Sequence, residues 1–166
     1  MKADNRLSSV LHVLLHMIEL DEPLTSDELS QMLTSHPVVV RRTLAGLRDA
    51  GLVRSEKGHG GGWVIDCDPA KVSLYDIHQA LGSPALISIG HRNHNPACLV
   101  EATVNAALNQ AIEDAEALLI ARFKAISLAD LGAGFHAGLS ERVGHLTLED
   151  MLKRHPAPSP KGTSDV

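Results

Sequence analysis

Aromatic side chains are almost missing from this 166-residue chain, which has one Trp, one Tyr and two Phe. With so few flat rings there is little on which single-stranded bases can stack, so a nucleic-acid reader built from this sequence would address duplex DNA. Cysteine is equally scarce: Cys67 and Cys98 make no disulfide framework, and Met1 to Arg6 show no charged-then-apolar secretory pattern. A reducing cytoplasm is the expected compartment. His12, His16 and Glu19 interrupt the most hydrophobic segment, so no apolar run reaches the roughly eighteen residues of a membrane span. Net positive charge is also lacking: the formal charge is -5 and the pI about 6.0. That balance excludes a protein that coats nucleic acid without selectivity, because such binding needs a cationic surface overall.

What remains is 44% hydrophobic, enough for one core with an appendage. One stretch departs from the acidic average. Between Ser35 and Trp63 the cations Arg41, Arg42, Arg48, Arg54 and Lys57 face only Asp49 and Glu56, a local formal charge of +3. The same stretch ends in the cluster Gly58-His59-Gly60-Gly61-Gly62. A basic helix supplies donors for phosphates and base edges, and a glycine-rich hairpin lets a second backbone segment come close to a polyanion.

Periodicity places these residues. Leu7, Val10, Leu11, Leu14, Leu15 and Ile18 recur at helical spacing, with Ser9, His12, His16 and Glu19 on the other side, and this first helix should end near Asp21-Glu22-Pro23. Thr25 and Glu28 fit a capping box opening a short second helix with Leu29, Met32 and Leu33 on its buried stripe. Ser35 as N-cap and Pro37 near the first position open a third helix, over about 36–50, with Gly51 as its stop. Val40, Leu44 and Leu47 share its packing face, while Val38, Arg41, Arg42, Ala45 and Asp49 are presented. Two helices joined by the short Thr34-Ser35-His36 turn make a helix-turn-helix. Strands flanking the glycines give a wing over about 53–65 whose tip is too flexible to hold a packed shape alone.

Ser73 with Asp76 caps a further short helix, and Gly82-Ser83-Pro84 breaks the pattern. Asn95 and Pro96 then open a long helix through about Ala125, on which Val100, Val104, Ala107, Ala111, Leu118 and Ala121 keep a three-and-four spacing and Leu108, Ile112 and Leu119 widen the apolar surface. One of its faces should meet the domain and another a second copy of the chain, giving a homodimer. Ser127 caps a short segment before Gly132, Gly134 and Gly138 loosen the chain, and a last helix spans about Leu148 to Lys153. The fold expected is mainly α with a small β-hairpin. It divides into a winged helix-turn-helix domain at 1–82, a connector and dimerisation helix at 83–126, a helical extension at 127–155 and a disordered tail at 156–166.

In order along the chain, Thr25-Ser26-Asp27-Glu28-Leu29, Ser35 to Arg42, Leu47 to Val53, Lys57-Gly58 with Gly61-Gly62-Trp63, and Val72 to Ile77 resemble the Rrf-two family of bacterial transcription regulators, the group that contains IscR, NsrR and CymR. The resemblance covers about residues 5 to 125. It implies a dimeric winged helix-turn-helix DNA-binding repressor or activator whose long helix forms the dimer interface, with a repressor as the expected sign. Carried over by position, Ser35, His36, Pro37, Val38, Arg41 and Arg42 enter the major groove, and Lys57, Gly58, His59, Gly61 and Gly62 approach the minor groove.

The family's cluster-binding members carry three cysteines in the connector and at the start of the long helix. Here only Cys98 lies there, so no cofactor and no iron-sulfur cluster are expected. Cys98 falls in the first turn of the long helix, where unpaired N–H groups favour a thiolate, and it is the candidate redox sensor, with a buried structural cysteine as the other reading. Cys67 ends a strand without reactivity. His91, His94 and Cys98 form an H-x2-H-x3-C spacing able to chelate a metal, which leaves a metal-responsive regulator as an alternative. No enzyme is expected: the P-loop pattern is absent, and His12 and His16 share a helix face without the glutamate of H-E-x-x-H. An adaptor that uses the long helix to hold a partner, without DNA, is the other alternative.

Overall fold

A computed structural model describes residues 5–33, 35–58, 60–87, 98–140 and 147–154. Seven helices and one hairpin follow in the order α1 (Arg6–Leu20), α2 (Ser26–Met32), α3 (Pro37–Asp49), β1 (Val53–Ser55), β2 (Trp63–Ile65), α4 (Leu74–Ala80), α5 (Leu99–Lys124), α6 (Leu128–Ser140) and α7 (Leu148–Arg154). The mainly helical fold with a small antiparallel hairpin agrees with the sequence. None of these helices is long and apolar enough to cross a membrane.

Four of the helices begin in the same way. Thr25, Ser73, Ser127 and Thr147 each accept a hydrogen bond from the backbone N–H three residues on, and Glu28, Asp76, Asp130 and Asp150 return the contact to the cap's own N–H. Each box satisfies two donors that the first turn would otherwise leave unpaired. Hydrogen bonds from the cap hydroxyls hold the carboxyls of Asp76, Asp130 and Asp150 below the usual carboxylate range. The caps are therefore intact at neutral pH and are lost as pH falls through those lowered values.

The core is a single cluster. Val10, Val13, Leu14 and Met17 of α1 meet Leu29 and Met32 of α2, Val40, Leu44 and Leu47 of α3, Ile77 of α4, Leu128 of α6 and Met151 of α7. The extension after α5 is thus built into the winged domain, with Gln31 Nε2 donating to the Leu152 carbonyl at 3.2 Å to tie α7 onto α2. Gly51, at φ 74°, ends α3 as expected. Its N–H reaches the Arg48 carbonyl while that of Leu52 reaches Leu47, both at 2.9 Å, the paired closure of a left-handed C-terminal cap.

Several expectations need correction. The N-cap of α3 is His36, whose Nδ1 accepts the Val38 N–H at 3.2 Å, and not Ser35, whose N–H is turned back to the Ser30 carbonyl. On the polar side of α1, α6 lies against the helix and buries His16. The glycines after Ser127 do not loosen the chain: α6 continues through Gly132 and Gly134 to Ser140. Tertiary packing by Leu128 and Phe135 on the core outweighs the weak helix propensity of glycine. The long helix starts at Leu99 with Cys98 as N-cap. Asn95 and Pro96, expected to open it, lie outside the described residues, as do His59, His91, His94 and the tail.

A Cβ placed on Gly134 would meet nothing within 4 Å, whereas one on Gly62 would stand 2.7 Å from the Leu24 backbone. Gly134→Ala is therefore expected to raise stability by about 0.5–1 kcal/mol, and Gly62→Ala to lower it, in thermal melts of the two variants. A melting temperature for Gly134→Ala at or below that of the parent would contradict the helical reading of that segment.

Candidate nucleic-acid interface

Burial of Val40, Leu44 and Leu47 turns the remaining faces of α3 outward. Val38 and Val39 are 59% and 55% exposed, large fractions for valines beside a core, and Arg41 and Arg42 are exposed with them. The first turn has no N–H to spare for a phosphate. Pro37 has none, that of Val38 is taken by the His36 ring, and that of Val39 by the His36 carbonyl at 2.9 Å. What this turn of α3 offers outward is therefore its side chains.

The wing is anchored at its base. Register pairs Val53 with Ile65, Arg54 with Val64 and Ser55 with Trp63. Trp63 also bridges to Leu24, N–H to carbonyl in both directions at 2.8 and 3.1 Å, and its indole Nε1 donates to Ser26 Oγ at 3.0 Å. Within the tip, the Glu56 N–H reaches the Gly62 carbonyl at 2.7 Å and that of Gly61 reaches Gly58 at 3.1 Å. Internal contacts account for the glycines: a Cβ on Gly61 would lie 2.4 Å from the Glu56 carbonyl oxygen, and Gly58 adopts φ 108°. Close approach at Gly61 and Gly62 is thus to the chain itself, while Lys57, Gly58 and Gly60 are exposed at the tip.

Local charge is smaller than a count suggests. Arg48 is paired with Asp49 at 2.9 Å, and Arg54 with both Glu56 at 2.7 Å and Asp66 at 3.2 Å. Arg41 stands 3.9 Å from Asp27 in an exposed, weak contact. Sequence reasoning missed one cation. Arg6, at the start of α1, lines a hollow of about 450 Å³ with Val38, Val39, Arg42 and Thr43. Its place beside α3 is a tertiary fact without a local signal, whereas the exposure of Val39 was available from its helical spacing to Arg42. Ser35 lines the adjoining hollow with Asn5 and Arg6.

The two thiols differ. Cys98 is exposed at the head of α5, where the backbone N–H groups of Glu101 and then Val100 hold its thiol below the usual range. Cys67 is half-buried after β2, and burial, followed by the charges of Asp66 and Asp68, pushes its thiol up.

Comparison with known proteins places this geometry. The model of the Rrf2 family, described as an iron-dependent transcriptional regulator, matches residues 3–134. YwnA of Bacillus subtilis (strain 168), a candidate HTH-type transcriptional regulator, is 29% identical over 128 residues, covering 77% of this chain and 95% of YwnA. The crystal structure of a candidate DNA-binding protein is similar with a TM-score of 0.58 and 28% identity, over 76% of this chain and 97% of that one. Two others share the fold: a candidate transcriptional regulator from Lactobacillus plantarum (TM-score 0.66, 23% identity, 82% and 93% covered) and the oxidized form of Staphylococcus aureus CymR (TM-score 0.59, 18% identity, 80% and 96% covered). The winged helix-turn-helix, the exposed basic face of α3 and the family match over most of the chain converge: this protein belongs to the Rrf2 family of DNA-binding transcriptional regulators, which are not enzymes.

Proposed function

We propose that the protein is a homodimeric repressor that reads duplex DNA with α3 in the major groove and the wing at the minor groove. The observation that carries this reading is the outward face of α3, where Val38, Val39, Arg41 and Arg42 lie on a helix whose opposite side is locked into the core. In the groove, Arg41 and Arg42 reach guanine edges or phosphates, Val38 meets thymine methyl groups, and Lys57 with Gly58 follows the backbone at the minor groove. Ser35, His36 and Pro37 set the angle at which the helix enters. Arg6 adds a cation beside that entry.

Pairing is supported by α5. Among its 26 residues none is buried, and Leu99 and Leu118 are 82% and 73% exposed, with Val100, Val104 and Leu108 also open. A helix about 39 Å long with that much uncovered apolar surface asks for a second partner. Twofold pairing there would place two copies of α3 on half-sites about one helical turn, roughly 34 Å, apart. The same reading assigns no iron-sulfur cluster, because the chain has two cysteines and an all-cysteine cluster takes three or four thiolates. Cys98 is instead the redox-responsive position: exposed and thiolate-favouring, it is oxidised by peroxide to a sulfenic acid with loss of hydroxide.

Duplexes selected from random DNA with the purified protein test the reading directly. Replacing Arg41 and Arg42 together with alanine is expected to weaken binding of the selected duplex by roughly 100-fold or more and to flatten its salt dependence, with an unchanged melting temperature; unchanged affinity would remove α3 from the interface. In sedimentation at micromolar concentration the parent should run as a dimer and Leu118→Glu should shift toward monomer, and a monomeric parent would end the pairing reading. Peroxide should change the affinity of the parent for the selected duplex and leave Cys98→Ser unaffected. An equal response in both would exclude the thiol.

A further inference from the structure

The outward side of α3 is defined as much by the chemistry it omits as by what it carries. From Pro37 to Asp49 the helix has no Asn, Gln or Glu, and its one carboxylate, Asp49, is engaged by Arg48 at 2.9 Å. Amides are the groups that read adenine by paired hydrogen bonds, and free carboxylates those that accept from cytosine. This helix offers neither. What it presents is apolar: Val38 and Val39 are adjacent, and both keep more than half of their surface in solvent. Two exposed valines in a first turn do not serve stability, because β-branched side chains lose rotamer freedom in a helix and little burial offsets the loss. Val40 beside them packs into the core and needs no such explanation. The pair also has company. Val38 and Val39 share one hollow with Arg42 and Thr43 of the same helix and with Ala80 and Leu81 at the end of α4. At about 100° per residue, both valines lie within about 60° of Arg42 around the helix.

We propose that Val39 is a specificity residue of this reader, and that Val38 and Val39 together sense the C5 methyl group of a pyrimidine within two base pairs of a guanine held by Arg42. The assignment rests on the reading of α3 in the major groove and adds a base code to it. In that groove the C5 methyl, carried by thymine or by 5-methylcytosine, is the apolar feature of a base edge, and a valine face removes it from water. The Arg42 guanidinium takes O6 and N7 of guanine. Side chains three and four positions apart on a helix stand about 5–6 Å from one another, which lies between one and two rises of about 3.4 Å along a DNA strand. A methyl-bearing pyrimidine and a guanine at that separation meet both groups at once. Adenine and cytosine are then recognised through their partners across the base pair.

Deoxyuridine in place of thymine tests the code, because it removes the methyl group and keeps every hydrogen-bonding group of the base. In one half-site of a duplex selected from random DNA, replacing the thymine nearest to guanine by deoxyuridine is expected to weaken binding about fourfold, the contribution of one buried methyl. A 5-methylcytosine–guanine pair at that position should regain this factor over an unmethylated pair; it binds as tightly as thymine where methylated cytosine is the natural source of the methyl, and less tightly where thymine is. Val39→Ala, at an exposed position, should keep the parent's melting temperature and shrink the ratio of affinities for thymine and deoxyuridine, and Val38→Ala with Val39→Ala should bring it to one. Equal affinity for thymine and deoxyuridine at every position of the selected duplex would overturn the assignment and leave DNA reading by α3 standing. So would a Val39→Ala protein that keeps the full ratio, including one that loses affinity equally for both duplexes. A parent that selects no duplex removes the reading itself, and this assignment with it.

Discussion

The placing of the wing against the helices depends on one pair of backbone hydrogen bonds, those between Leu24 and Trp63 at 2.8 and 3.1 Å. Leu24 is fully buried in the segment between α1 and α2, so the bridge joins the wing to the helical core and not merely to its own hairpin. Two three-residue strands are too short to hold an orientation alone. With the bridge, and with the Trp63 indole fastened to Ser26, the wing takes a fixed place relative to α2. Since α2 packs on α3, α3 and the wing then move as one body. Gly62 is the residue that permits this approach, because any side chain there would meet Leu24.

Charge in this molecule is arranged for placement more than for attraction. Arg48 and Arg54 look like part of a basic patch in the sequence, but their acidic neighbours engage them, and exposed ion pairs of this kind contribute little to stability. Their effect is to remove competing cations around α3. Arg41, Arg42 and Lys57 then stand out within a chain of formal charge -5. Under the proposed reading, such a surface would repel nonspecific polyanions at long range and accept a duplex only where those few donors find their partners.

Local rules made much of this fold legible. Capping boxes, the Pro37 start, the Gly51 stop and the spacing of Val40, Leu44 and Leu47 are written within a few residues of where they act, and the structure follows them. What the sequence could not carry was contact between distant segments. The burial of His16 and Glu19 depends on α6, more than a hundred residues further on, and Arg6 joins the α3 surface only once α1 has docked. The wing glycines were visible, but their reason was not: Gly61 and Gly62 answer to Glu56 and Leu24, and a sequence alone cannot distinguish that from an approach to a ligand. The helix through Gly132 and Gly134 was hidden for a related cause, since its stability comes from packing and not from propensity.

The path of the chain around α5 limits how a signal can reach α3. After this helix the backbone returns to its point of departure: Leu74 donates to the Ile126 carbonyl at 2.9 Å and Leu128 to that of Val72 at 2.8 Å. Phe123 stacks edge-on to His78, and the Lys124 ammonium sits 4.6 Å over the Tyr75 ring. The last turn of α5 is thereby clamped to α4, which itself packs on α3. Cys98 lies at the opposite end, 26 residues away, about 39 Å along a rigid rod. A chemical change there is too remote to touch α3 directly. It can act only by altering what the exposed first half of α5 lies against, and in a twofold pair that contact sets the separation of the two α3 helices. Signal and sequence reading would then meet in one variable, the distance between half-sites, to which a duplex with a fixed helical repeat is highly sensitive.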